Sequence, residues 1–187
     1  MIPKTFVLGG VKSGKSLFAE QSLCAYAQPW HYIATAQAQN DNELQARIKA
    51  HQARRNPEQW RTYEIGADLS ALKKQLEKAE GAVLFDCLTL WLSHVLFADQ
   101  CEETLADKSL FQARVNKTQE QILDFLDSIR QPFVMVSNEV GLGGVAENTM
   151  MRRFMDAQGQ LNQAIAARCD RVYLVAAGLP LCLKDCS

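Results

Sequence analysis

The chain has 187 residues, 48% hydrophobic and 22% charged, which supplies a packed core and argues against a disordered chain. Twenty Lys and Arg stand against 21 Asp and Glu, and the formal charge of -1 lacks the basic excess that a nucleic-acid binder relies on. The longest apolar stretches, Ala82 to Leu92 and Val172 to Leu183, are broken by Asp86 and by Gly178 and Pro180, and fall short of the roughly 18 residues that a membrane span needs.

The start, Met1-Ile2-Pro3-Lys4-Thr5, has no signal-peptide pattern, so a cytoplasmic location is expected. Six cysteines (Cys24, Cys87, Cys101, Cys169, Cys182 and Cys186) form no C-x-x-C pair and read as free thiols rather than a metal site or staples. No repeat or linker interrupts the chain, and residues 1–187 are expected to form one domain.

In chain order, Thr5 to Leu8 reads as a short apolar strand, and Lys15 to Ala27 as a helix. A strand near Trp30 to Thr35 follows, then helical spacing over Asn42 to Arg55, with Asn40 and Glu43 placed for capping. A short strand near Arg61 to Glu64 and a helix near Leu69 to Lys78 come next. Ala82 to Phe85 is wholly apolar and ends in Asp86, the pattern of a central strand. Thr89 to Phe97 reads as an apolar helix, Ala98 to Lys108 as a polar surface insertion, and Ser109 to Arg130 as a long amphipathic helix. Phe133 to Ser137 is another buried strand, a glycine-rich turn spans Asn138 to Glu147, Thr149 to Arg168 is a helix, and Arg171 to Val175 is the last strand expected. This alternation predicts an α/β fold with a mostly parallel central sheet flanked by helices. Such sheets place ligands at the carboxyl ends of their strands, where Gly9, Thr35, Asp86 and Asn138 fall.

One motif carries a definite chemistry. Gly9-Gly10-Val11-Lys12-Ser13-Gly14-Lys15-Ser16 fits G-x-x-x-x-G-K-[ST] at every fixed position, between a strand and a helix. The glycines let backbone N–H groups turn toward phosphate oxygens, and the helix N-terminus adds its positive end. Lys15 is placed to reach the terminal phosphates and Ser16 to ligate Mg²⁺. Asp86 stands where P-loop proteins put the carboxylate that holds the same ion or its water. A second glycine pattern, Gly141-Leu142-Gly143-Gly144-Val145-Ala146, satisfies the dinucleotide fingerprint G-x-G-x-x-A. Its first glycine lies four residues past Ser137, and the next acid, Asp170, precedes its strand instead of following it, so it reads as an active-site loop.

Among the three histidines, His31 and His94 sit in apolar contexts that suit structural roles. His51 differs: at helical spacing Arg47, Arg54 and Arg55 gather round it. Guanidiniums beside an imidazole favour its neutral, nucleophilic form and attract phosphates. A solvated basic face would show the same spacing.

With these residues in place, the chain closely resembles the bifunctional adenosylcobinamide kinase / adenosylcobinamide-phosphate guanylyltransferase family. The resemblance runs through Gly9 to Ser16, Tyr32-Ile33-Ala34-Thr35-Ala36, Glu43, Arg47-Ile48, His51, Arg55, Trp60, Thr62 and Glu64. It continues in Asp86-Cys87-Leu88-Thr89, Asn138-Glu139-Val140-Gly141, Arg152-x-Phe154-x-Asp156, Gly159, Asn162 and Gly178-Leu179-Pro180. It implies a RecA-like P-loop fold, ATP and GTP as co-substrates with Mg²⁺, and His51 as the carrier of GMP. It also implies that Ala34, Thr35, Ala36, Gln52, Ala53, Arg54, Arg55, Glu64 and Asp86 lie near the guanine nucleotide, beside the phosphate loop from Gly9 to Ser16. Adenosylcobinamide and its phosphate are the implied acceptors, and the resemblance implies a homo-oligomer such as a trimer. The chain departs from the family's usual Ile and Pro at Gly144 and Ala146. A kinase without the second step, and a non-catalytic nucleotide-binding module, are the rival readings.

Overall fold

The computed structural model describes residues 2–36, 46, 55–97 and 107–185. The elements are β1 (Lys4–Gly9), α1 (Lys15–Ser22), β2 (Trp30–Ala34), β3 (Trp60–Glu64), α2 (Ser70–Leu76) and β4 (Val83–Asp86). They continue with α3 (Leu88–Phe97), α4 (Lys108–Ser128), β5 (Phe133–Asn138), α5 (Thr149–Arg168), β6 (Arg171–Ala176) and β7 (Leu179–Asp185). The expected helix over Asn42 to Arg55 and most of the Ala98 to Lys108 insertion lie outside the described residues.

The strands form one seven-stranded sheet in the order β3-β2-β4-β5-β1-β6-β7. All neighbours run parallel except β6 and β7. This is the RecA-like P-loop arrangement that the sequence implied, with β5 lying between the phosphate-loop strand β1 and the Asp86 strand β4.

The alternation of side chains along each strand explains the two layers. Phe6, Leu8, Ile33, Phe85, Phe133 and Met135 face one way, into a core closed by Leu72 and Leu76 of α2, Trp91 of α3, Ile122 and Phe125 of α4, and Leu161 and Ile165 of α5. Val7, Tyr32, Leu84, Val134, Val136 and Val175 face the other way, where Ala19 of α1 and Leu23 pack on them together with Trp30 and Trp60. The long helices start where short polar side chains satisfy orphan N–H groups. Asp107 accepts from Ser109 N and Leu110 N, and Asn148 from Met150 N and Met151 N.

Two boundaries differ from the sequence reading. The first helix ends at Ser22 and tightens into a 3₁₀ turn, Leu23–Ala25, so the expected extent to Ala27 is too long. The sheet does not end with Arg171 to Val175, because the chain turns back through Ala177 and Gly178 into β7. Both turn residues have positive φ, 51° and 80°, as a two-residue hairpin of the primed type requires. The side chains of β7 are almost all exposed, so it lacks the buried–exposed alternation by which a strand is read from sequence.

Candidate functional site

The carboxyl ends of β1, β2, β4 and β5 meet along one edge of the sheet. Gly9 closes β1, and Gly14, with φ 95°, turns the chain into α1 at Lys15. A Cβ on Gly9 would come within 2.5 Å of both Ser13 Oγ and Val175 O, so a side chain there would push the loop off β6. The loop is also tied from behind: Gly178 N–H of the β6–β7 turn donates to Ser13 O at 2.8 Å. Lys15 Nζ donates to Gly10 O at 3.2 Å, which lays the ammonium across the loop that the helix N-terminus opens onto. Ser16, in the first turn of α1, is partly exposed.

The register places the acidic partner. Ala34 pairs with Asp86 on one side and with Glu64 on the other, so these three positions share one level of the edge. Glu64 is exposed and Asp86 half-buried. Tyr32 Oη donates to Asp86 Oδ2 at 3.4 Å. Burial, and after it the Asp86 charge, drives the Tyr32 phenol far above its ordinary range, so it stays a donor. Cys87 is buried, and burial first, then Asp86, pushes its thiol up to about 12, with Lys15 acting in the opposite direction. A thiol so raised remains protonated and is a poor nucleophile.

Two expected nucleotide contacts have their polar groups turned elsewhere. Thr35 is buried, and its Oγ1 donates to Cys87 O and accepts from Cys87 N, each at 2.8 Å. Its hydroxyl holds the chain just after Asp86, which a sequence cannot reveal because Thr35 and Cys87 are 52 positions apart. Arg55 is also turned inward, its side chain only 4% exposed. Arg55 Nη2 meets Glu20 Oε1 of α1 at 2.5 Å, and the guanidinium lies 3.3 Å from the centre of the Tyr32 ring. Ala36 is half-buried just past β2. His51, Gln52, Ala53 and Arg54 lie outside the described residues, as does Arg47.

Sequence reasoning missed a polar group of side chains beneath the end of β5. Asn138 pairs with Gly9, and Glu139 N–H donates to Gly9 O at 3.1 Å, so the β5 end abuts the phosphate loop. Under it Ser137 Oγ donates to Asn162 Oδ1 at 2.8 Å, and Gln158 Nε2 donates to both, at 3.0 and 2.9 Å. Thr89 Oγ1 accepts from Asn138 N at 2.9 Å, and Asn162 Nδ2 donates to Asn138 O at 3.2 Å. Buried polar groups cost stability unless satisfied, and here they fix the backbone of Asn138 from both sides. The run of uncharged polar residues at Ser137, Asn138, Gln158 and Asn162 was the available signal.

The family model for cobinamide kinase / cobinamide phosphate guanyltransferase matches residues 5–183. The chain belongs to this family. A bifunctional adenosylcobalamin biosynthesis protein CobP of Pseudomonas aeruginosa is 40% identical over 181 residues, 97% of each chain. The bifunctional adenosylcobalamin biosynthesis proteins CobU of Salmonella typhimurium and of Escherichia coli are 34% and 35% identical, each alignment covering 95% of this chain and 98% of the relative. Among solved structures, an ATPase of a type III secretion system matches with a TM-score of 0.53 at 8% identity, over 96% of this chain and 56% of that one. A protein of Pyrococcus horikoshii matches with a TM-score of 0.53 at 7% identity, over 99% of this chain and 87% of that one. These two likenesses concern the fold.

Within this cobinamide kinase / guanyltransferase chain, the remaining motifs take plain structural places. The G-x-G-x-x-A pattern opens no helix: Gly141–Gly143 is a 3₁₀ turn and α5 starts only at Thr149. Gly144 has φ 99° and ψ -168°, a region essentially restricted to glycine. His31 is buried, with Nδ1 against Tyr63 Oη at 3.0 Å and Nε2 against Glu80 O at 2.6 Å, a structural histidine as expected. His94 is partly buried on α3, and desolvation lowers its pKa.

Proposed function

We propose that this enzyme runs both reactions of its family along one carboxyl edge of the sheet. In the first, ATP or GTP phosphorylates the hydroxyl on the aminopropanol arm of adenosylcobinamide. In the second, GMP passes from GTP to that new phosphate, giving adenosyl-GDP-cobinamide and pyrophosphate. The observation that carries the reading is the phosphate loop from Gly9 to Ser16 standing at the same edge as Asp86, in a chain of this family. The curated relatives are named bifunctional, which favours two steps over a kinase alone.

In the kinase step the backbone N–H groups of the loop and the Lys15 ammonium bind the phosphates and offset the charge that builds as the terminal phosphoryl moves. Ser16 and Asp86 would hold Mg²⁺ with hard oxygen donors. When bound, the ion would supply positive charge that offsets the charge of the triphosphate. Tyr32 steadies the Asp86 carboxylate through its hydroxyl.

For the second step, an imidazole nitrogen of His51 attacks the α-phosphorus of GTP and pyrophosphate leaves. An oxygen of the cobinamide phosphate then attacks the same phosphorus and the imidazole leaves. Splitting the displacement in two is the ordinary gain of covalent catalysis. Ala34, Thr35, Ala36, Gln52, Ala53, Arg54, Arg55 and Glu64 line or support the guanine nucleotide, with Thr35 and Arg55 acting through Cys87 and Tyr32.

We place the enzyme in the cytoplasm as a homo-oligomer, a trimer being one closed form. The outer edge of β7 supports association, because Leu179, Leu181 and Leu183 are 73%, 59% and 54% exposed on an edge strand. The test of the two-step reading is His51→Ala. The variant should take no label from GTP labelled at its α-phosphorus and form no GDP-cobinamide, yet keep phosphorylating cobinamide. Labelling at the wild-type level would put the nucleophile elsewhere.

A further inference from the structure

The loop between β5 and α5 carries strongly exposed apolar side chains next to the phosphate loop. Leu142 is 80% exposed, Val145 86%, and Met151 in the first turn of α5 is 51% exposed. Single exposed apolar residues are ordinary, but three within ten positions of one segment are a feature to explain.

The segment is anchored at both ends. On one side Glu139 N–H reaches Gly9 O at 3.1 Å, and Gly141 N–H donates to Glu139 Oε1 at 2.7 Å. On the other, Arg152 Nη1 donates to Ala146 O at 2.9 Å and Nη2 to Thr149 Oγ1 at 3.0 Å. The polar groups thus tie the loop to the body of the protein, while the apolar tips project into water. From Gly141 to Ala146 there is no charged residue; Glu139 and Arg152 are engaged with the backbone, and Glu147, directly after Ala146, is exposed.

We propose that this loop seats the corrin macrocycle of the acceptor, with Leu142, Val145 and Met151 against a face of the ring. The inference rests on the reading of the chain as a cobinamide kinase and names where its acceptor binds. The acceptor's chemistry selects this surface. A corrin ring presents methyl and methylene groups on its faces and carries amides round its rim, so it wants an uncharged apolar seat with polar surroundings. Its reacting hydroxyl is on a short arm, so the seat must adjoin the phosphate loop. This loop does, because Asn138 at its base pairs with Gly9.

The experiment compares wild type with Leu142→Ser/Val145→Ser, and with Met151→Ser as a second variant. Adenosylcobinamide binding is followed by equilibrium dialysis with its visible absorbance, alongside kinase kinetics and nucleotide affinity. The double variant should weaken corrinoid binding ~10-fold or more and raise the corrinoid KM in proportion. Its kcat and nucleotide Kd should stay within about twofold, since uniform binding of a remote group lowers KM without changing the chemical step. Free aminopropanol, an acceptor without the ring, should be phosphorylated equally by both proteins. Unchanged corrinoid affinity in the double variant, when wild type binds and phosphorylates cobinamide, overturns the seat alone. Unchanged affinity with an altered oligomeric mass assigns the loop to a contact between copies and also overturns it. A wild type that neither binds nor phosphorylates cobinamide removes the functional reading together with the seat.

Discussion

Removing the carboxylate of Glu20 should strand a buried cation. The Arg55 side chain is 4% exposed and that of Glu20 11%, with 2.5 Å between Nη2 and Oε1. Among the described residues Arg55 Nε and Nη1 have no hydrogen-bond partner, so Glu20 supplies the guanidinium with its ionic contact while Tyr32 and Trp60 offer only ring faces. Breaking such a pair from one side leaves a desolvated charge and costs about 3–5 kcal/mol. A surface pair would cost ~1 kcal/mol or less. At about 2–4 °C of melting temperature per kcal/mol for a domain of this size, Glu20→Ala should lower Tm by roughly 6–20 °C. The assay is urea unfolding of Glu20→Ala, Arg55→Met and the double variant. The double variant should be more stable than Glu20→Ala, because the stranded charge is gone. A Glu20→Ala cost below ~1 kcal/mol, or costs that simply add, would refute the reasoning.

Lys15→Ala should lower kcat of both steps by ~10²-fold or more while unfolding like wild type, because the lost ammonium acts on charge that develops during transfer; kinase and guanylyltransferase assays beside a melt check it, and normal phosphorylation would contradict the loop assignment. Asp86→Asn should raise the Mg²⁺ concentration for half-maximal activity, since an amide is a weaker ligand for a hard cation; an unchanged titration would leave Asp86 as a strand-end acid. Stability should fall as pH rises above about 9. Burial raises the thiols of Cys87 and Cys169 from an ordinary 9.0 to about 12 in the folded chain, so between these values the unfolded chain has lost protons that the native one keeps. That contribution is complete below pH 9 and disappears as pH approaches 12, with a slope of up to ~1.4 kcal/mol per pH unit for each thiol. Urea unfolding at pH 8 and pH 10.5, with Cys169→Ala flattening the dependence, would test it.

Much of the architecture follows from local pattern. Apolar runs such as Val83 to Phe85 and Phe133 to Val136 are buried on both faces, so they stand out as central strands. The phosphate loop is equally legible, since its glycines, lysine and serine are adjacent in sequence and their geometry is that of a strand turning into a helix. Asp86 is legible for the same reason, as the acid that ends an apolar strand. What the sequence could not yield were relations across the fold. The side-chain partners of Thr35 and Arg55, Cys87 and Glu20, are distant in the chain and met them only when β2, β4 and α1 packed. The Ser137–Gln158–Asn162 group is likewise assembled from a strand and a helix, each of whose polar residues is unremarkable alone. Strand β7 escaped because its side chains have no buried face, and hydrophobic alternation arises only where one side of a strand meets a core. The chain thus announces its chemistry where the needed atoms lie within a few consecutive residues. Packing alone decides which hydroxyl, carboxylate or guanidinium remains free to meet a substrate, because burial and partner choice depend on elements that sequence spacing does not relate.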